Sequence, residues 1–94
     1  MISDRQQQII QAALSQYQPK MVGIFGSFAR CENHAQSDLD LLVDFDYPID
    51  LLDIIGLEQE LSEKLGVKVD LVTLRSLHPL LREQVEQDLV RLVS

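Results

Sequence analysis

Residues 38–45, reading DLDLLVDF, restrict the fold of this 94-residue chain more than any other segment. Side chains on a strand point alternately to its two faces. Leu39, Leu41, Val43 and Phe45 therefore share one face, while Asp38, Asp40, Leu42 and Asp44 share the other. Such a strand needs an apolar layer beneath it and leaves a row of acids above, and Pro48 closes it.

The flanking segments supply that layer. Ser3 and Gln6 have capping-box spacing, and Ile9, Ile10, Ala13, Leu14 and Tyr17 recur at helical intervals, so residues 3–17 are expected to form an amphipathic helix ended by Pro19. Met21, Val22, Ile24 and Phe25, between Pro19 and Gly26, read as a buried strand. Residues 27–31 fit a turn of helix and residues 32–37 a polar loop. Asp50 is placed to cap a helix carrying Leu51, Leu52, Ile54, Ile55, Leu61 and Leu65, with Gly66 at its left-handed end. Residues 67–73 alternate again, with Val67, Val69 and Leu71 on one face and Lys68 and Asp70 on the other. Pro79 suits the first turn of a last helix running through Leu81, Val85, Leu89 and Leu92. The expectation is a single α/β (α+β) domain over residues 1–94, with a small mixed sheet of three or four strands flanked by about four helices.

Composition narrows the function. A net charge of −7 repels a phosphate backbone and suits a basic protein partner, so direct nucleic-acid binding is not expected. The single cysteine, Cys31, excludes an internal disulfide and a cysteine-rich zinc site, in keeping with a reducing compartment. No apolar run approaches the roughly 20 residues of a membrane span, and the N-terminus lacks a signal-peptide pattern. No membrane association and a cytoplasmic location are the expectations.

Asp38 and Asp40 lie on one face of their strand, with α-carbons about 6.5 Å apart. Two carboxylates about 4 Å apart repel by about 4 kcal/mol at an effective dielectric of 20, so a half-buried pair shifts its pKa or takes a cation. Magnesium accepts carboxylate and triphosphate oxygens together. Asp-x-Asp alone is also consistent with two solvated carboxylates on an edge strand. Gly26 and Ser27 add to it: they follow an apolar strand and precede a turn, where free backbone N–H groups cradle phosphate, although a Gly-Ser pair alone is only a turn signal.

The run GSFARCENHAQSDLDLLV resembles the Gly-Ser, ten residues, Asp-x-Asp motif of the DNA polymerase beta-like nucleotidyltransferase superfamily. Together with the later VKVDLVTL and the small size, the chain is similar to the minimal nucleotidyltransferases (MNT), many of them antitoxins of HEPN/MNT toxin–antitoxin pairs. That resemblance implies the polymerase beta-like fold. It assigns Gly26, Ser27 and Arg30 to the nucleotide phosphates, and Asp38, Asp40 and Asp70 to catalysis and to two magnesium ions, Asp70 also helping to activate the attacking hydroxyl. A carboxylate within an apolar strand is costly unless paired; Asp70 otherwise fits a pair with Lys68 or Arg75 at a strand edge. The implied reaction moves AMP from ATP to a hydroxyl, expected to be a tyrosine, on a HEPN-domain ribonuclease toxin, with which the chain would form a hetero-oligomer. Two alternatives are an antitoxin that acts by occlusion alone and the nucleotide-binding subunit of a two-chain small-molecule nucleotidyltransferase.

Cys31 departs from the family pattern, which has glycine after the Ala-Arg pair. A non-glycine residue at positive φ would cost about 1 kcal/mol or more, so the expectation is a loop that takes a different path. His34 reads as a loop residue and His78 as a helix cap.

Overall fold

The computed structural model describes residues 2–93; Met1 and Ser94, the ends of the expected 1–94 domain, lie outside the described residues. Ser3 opens the first helix by a reciprocal pair of bonds. Its Oγ accepts from Gln6 N at 3.2 Å, and Ser3 N donates to Gln6 Oε1 at 2.8 Å. Helix α1 spans Asp4–Leu14, and a 3-10 turn, Ser15–Tyr17, completes the expected 3–17 segment before left-handed Gln18 breaks it. Strand β1 is Met21–Phe25 and β2 is Leu39–Asp44. Helix α2, Leu51–Leu65, has Asp50 at its N-cap without a side-chain bond and ends at Gly66, whose φ of 70° is the left-handed value expected there. Strand β3 is Val69–Thr73, shorter than expected, and a second 3-10 turn, Leu74–Ser76, leads to helix α3, Pro79–Asp88. His78 caps α3, its Nδ1 accepting from Leu80 N at 3.1 Å.

The strands order as β3-β2-β1-β4, with β4 at Val90–Val93. Strand β1 runs antiparallel to both neighbours, whereas β2 and β3 are parallel and joined by α2. One face of the sheet, through Val22, Ile24, Leu39, Leu41, Val43, Val69 and Leu71, packs on Ile10 and Leu14 of α1 and Leu57 and Leu61 of α2. On the outer edge of β3, α2 occupies backbone donors that would otherwise invite another strand. Val69 N donates to Ser62 Oγ at 2.9 Å and Leu71 N to Glu58 Oε2 at 2.7 Å.

The turn expected at residues 27–31 is present, with a helix-type bond from Arg30 N to Gly26 O at 3.1 Å. One expectation about the helices is corrected. The last helix does not continue to Leu92. It stops at Asp88, Leu89 turns to extended backbone, and residues 90–93 pair with β1, so three α-helices and four strands are present among the described residues. Leu81, Val85, Leu89 and Leu92 fit a helical stripe, but sheet pairing satisfies the backbone of the segment and Gly23 gives Leu89 a seat. A Cβ at Gly23 would lie 2.6 Å from Leu89 Cδ1 and 3.1 Å from the Val90 carbonyl oxygen.

Gly23→Ala is therefore expected to destabilise the fold by about 1–3 kcal/mol through overpacking. The check is a urea denaturation midpoint together with hydrogen exchange, in which β4 amides should lose protection before those of β2.

Candidate active site

The sheet face opposite the core carries the acids. Pairing sets Phe25 opposite Asp40 and Asp40 opposite Asp70, so these three form one row across β1, β2 and β3. Because Leu39 and Leu41 are wholly buried in the core, Asp40 between them must project to the other face. Leu42, expected beside the acids, is also inaccessible. It lines a hollow with Met21, Arg82, Glu86 and Leu89, so α3 and the start of β4 cover the far half of this face and leave the acidic half open.

Gly26 closes that half from the β1 side. Its φ is 74°, and a Cβ there would run into Asp40 Oδ2, so both the backbone angle and the approach of the carboxylate require glycine. Ser27 follows at the half-buried start of the turn, and Phe28 is buried in the core, which pins the loop to the sheet. Asp38 immediately precedes β2, and its Oδ2 lies 3.9 Å from Lys68 Nζ. Lys68 thus pairs with Asp38 rather than Asp70, and among the described residues neither Lys68 nor Arg75 forms an ion pair with Asp70. Burial raises the Asp40 pKa above the usual carboxylate value; the negative charges of Asp70 and Asp38 add to the rise, and Arg30 partly offsets it.

Arg30 is tied to two acids. Its Nη1 donates to Asp88 Oδ2 at 2.6 Å and its Nε to Glu32 Oε2 at 3.1 Å, which favours the charged guanidinium still further. Cys31 has φ 58°, the left-handed value at which glycine is least strained, contrary to the expected change of path. Glu32 N donates to Ser27 O at 2.9 Å across this turn, holding the strained residue in place. His34 is a loop residue, its Nδ1 accepting from Gln36 N at 3.2 Å.

Gly26, Ser27, Asp38, Asp40 and Asp70 thus lie at one end of the sheet, with Arg30 beside them. No three His, Cys, Asp or Glu side chains among the described residues are drawn together as a ready metal cage. Magnesium does not require one, since it is held by one or two carboxylates, substrate phosphate and water. Half-buried Asp40 with the negative charges of Asp70 and Asp38 beside it is a place where a cation is favoured, so the donor set fits such an ion. Sequence reading missed Asp88, the partner of Arg30. The two are 58 residues apart, and nothing local to residue 88 signals the contact.

The chain is similar to several known proteins. Residues 7–94 match the model of the family described as Polymerase beta, Nucleotidyltransferase. A Methanocaldococcus jannaschii protein, by its name a candidate protein adenylyltransferase, is 48% identical over 75 residues, covering 79% of this chain and 76% of that protein. A crystal structure of a toxin–antitoxin with AMP-PNP superposes with a TM-score of 0.84 at 30% identity, covering 92% of this chain and 71% of the other. A structure of a tri-AMPylated Shewanella oneidensis HEPN toxin in complex with its MNT antitoxin gives 0.79 at 26% identity, covering 97% and 71%.

Two measurements test the site's electrostatics and strain. The Asp40 pKa is higher in the folded than in the unfolded chain, so the penalty for holding its charge is absent below the unfolded value of about 4 and in full force above the folded value. Asp40→Asn should therefore melt above wild type at pH 7, with the two melting temperatures converging as the pH falls below about 4. Cys31→Gly removes a left-handed strain of about 1–2 kcal/mol and adds unfolded-state freedom of about 0.5–1 kcal/mol. A net gain of up to about 1.5 kcal/mol in urea unfolding is expected.

By the match over residues 7–94, the chain belongs to the polymerase beta nucleotidyltransferase family.

Proposed function

We propose that the chain is an antitoxin that transfers AMP from ATP to a hydroxyl, expected to be a tyrosine, of a HEPN-domain toxin with which it assembles, as a single minimal nucleotidyltransferase domain in the cytoplasm. The observation that carries this reading is the approach of Gly26 to Asp40 at the head of the Phe25–Asp40–Asp70 row, which brings a glycine turn suited to phosphate against acids on one open face. The relatives supply the acceptor class. One is named for protein adenylylation, and one solved antitoxin is bound to a HEPN toxin carrying AMP groups. No described helix is long and apolar enough to cross a membrane.

In this reading the N–H groups of the Gly26–Ser27 turn and the Ser27 hydroxyl hold the phosphate tail. Asp38 and Asp40 would hold magnesium, which when bound would neutralise charge on the triphosphate and on the leaving pyrophosphate. Asp70, opposite Asp40 on the adjacent strand, faces the entering hydroxyl and accepts its proton as the oxygen bonds to the α-phosphorus. The bond from the α-phosphorus to the bridging oxygen breaks, and pyrophosphate leaves with that electron pair. Arg30 lies where it can exchange its Asp88 and Glu32 partners for phosphate oxygens, and guanidinium groups bind phosphate in the same forked manner as carboxylate.

With ATP labelled at the α-phosphate, magnesium and the HEPN partner, wild type is expected to label the partner. Asp38→Ala should lower the rate by about two orders of magnitude or more, since loss of an outer-shell group alone costs about 10–100-fold. Neutralisation of the toxin with no transfer of label, by wild type and Asp38→Ala alike, would replace this reading with occlusion.

A further inference from the structure

A cleft of about 230 Å³ opens between the end of β1 and α3, walled by Phe25, Gly26, Leu81 and Val85, with Gln84 at its rim. Arg30 and Asp88 close one side of it. We propose that this cleft seats the purine base of the nucleoside triphosphate and that Gln84 reads the edge of the ring. The proposal rests on the nucleotidyl-transfer reading above and specifies which part of the substrate goes where.

Position is the first reason. Gly26 belongs both to this cleft and to the acidic site, and Phe25 is the member of the Phe25–Asp40–Asp70 row that borders it. A nucleotide whose phosphates lie on the Gly26–Ser27 turn therefore has a recess for its base directly beside it. The more apolar hollow at Phe45, Tyr47, Ile54 and Leu74 lies past the other end of β2. A six-residue strand is about 20 Å long, too far for a base whose phosphates sit at Asp40.

Size and chemistry agree. Pockets for whole drug-sized ligands hold roughly 300–1,000 Å³, so this cleft suits one flat ring system rather than an entire nucleotide. Its walls offer an aromatic face and two aliphatic side chains, and bases stack readily on such surfaces. Leu81 is 53% exposed although its neighbour Val85 is buried, and a base in the cleft would cover it. Gln84 is exposed and presents one amide acceptor and two donors. That set matches the N6 donor and N7 acceptor of adenine and mismatches the two acceptors of guanine.

The experiment is calorimetric titration of the full chain in magnesium with AMP-PNP, GMP-PNP and inorganic tripolyphosphate. Gln84→Ala is expected to weaken AMP-PNP about tenfold, narrowing the preference over GMP-PNP, without changing tripolyphosphate affinity. Leu81→Trp fills the recess and is expected to weaken both nucleotides at least tenfold while sparing tripolyphosphate. An unchanged preference in Gln84→Ala, or nucleotide binding unaffected by Leu81→Trp, overturns the base cleft while leaving nucleotidyl transfer standing. If wild type binds neither AMP-PNP nor tripolyphosphate, nucleotidyl transfer itself fails and takes the cleft with it.

Discussion

Strand β2 is hydrogen-bonded on both sides, to β1 and to β3, and its Leu39, Leu41 and Val43 are completely inaccessible. A slip of one residue in its register would send all three to the opposite face and bring Asp40 into the core. The hydrophobic free energy of those side chains, about 1.5–3 kcal/mol each, therefore fixes more than the sheet. It dictates that Asp40 projects to the open face and, through pairing, that Asp70 stands next to it. These carboxylates are positioned by the apolar residues between them, and the acids themselves oppose that placement by repelling one another.

The loop after β1 is built under a similar tension. Gly26 holds a backbone angle that other residues avoid, and it leaves room for a carboxylate where a Cβ would stand. Five residues later Cys31 adopts left-handed geometry without the benefit of glycine. Strained residues persist when their surroundings over-determine them. Here buried Phe28 and the bonds from Arg30 N to Gly26 O and from Glu32 N to Ser27 O do so. Raised pKa at Asp40 and strain at Cys31 both weaken the fold at the place where the chemistry is expected, as a stability–activity trade-off predicts.

What could be read from the chain beforehand follows from how local each signal is. The alternation around Asp38 and Asp40, the capping box at Ser3 and the left-handed stop at Gly66 each arise from residues a few positions apart, and each reappears in the structure. The partition of Leu42 away from the solvent-facing acids was invisible, because it depends on α3 returning across the sheet. Strand β4 was invisible for the same kind of reason. Val85, Leu89 and Leu92 satisfy a helix locally, and only the bare surface of Gly23, far earlier in the chain, decides for a strand. At Cys31 the residue type argued against the conformation that the loop nevertheless keeps.

The missed strand and the missed partner of Arg30 are one structural event. Helix α3 ends where Leu89 drops onto Gly23, and β4 begins at once by pairing with β1. The last helical residue before that descent is Asp88, and the descent holds its carboxylate 2.6 Å from the Arg30 guanidinium. An exposed ion pair contributes only about 0–1 kcal/mol to stability, so the contact matters more for where it holds Arg30 than for how firmly it holds the fold. Arg30 stays beside Gly26 with its charge already oriented, at a site whose excess of carboxylates would otherwise leave it no fixed position. A glycine in the middle of β1, with no chemistry of its own, thereby sets the geometry of the cation beside the Gly26–Ser27 turn.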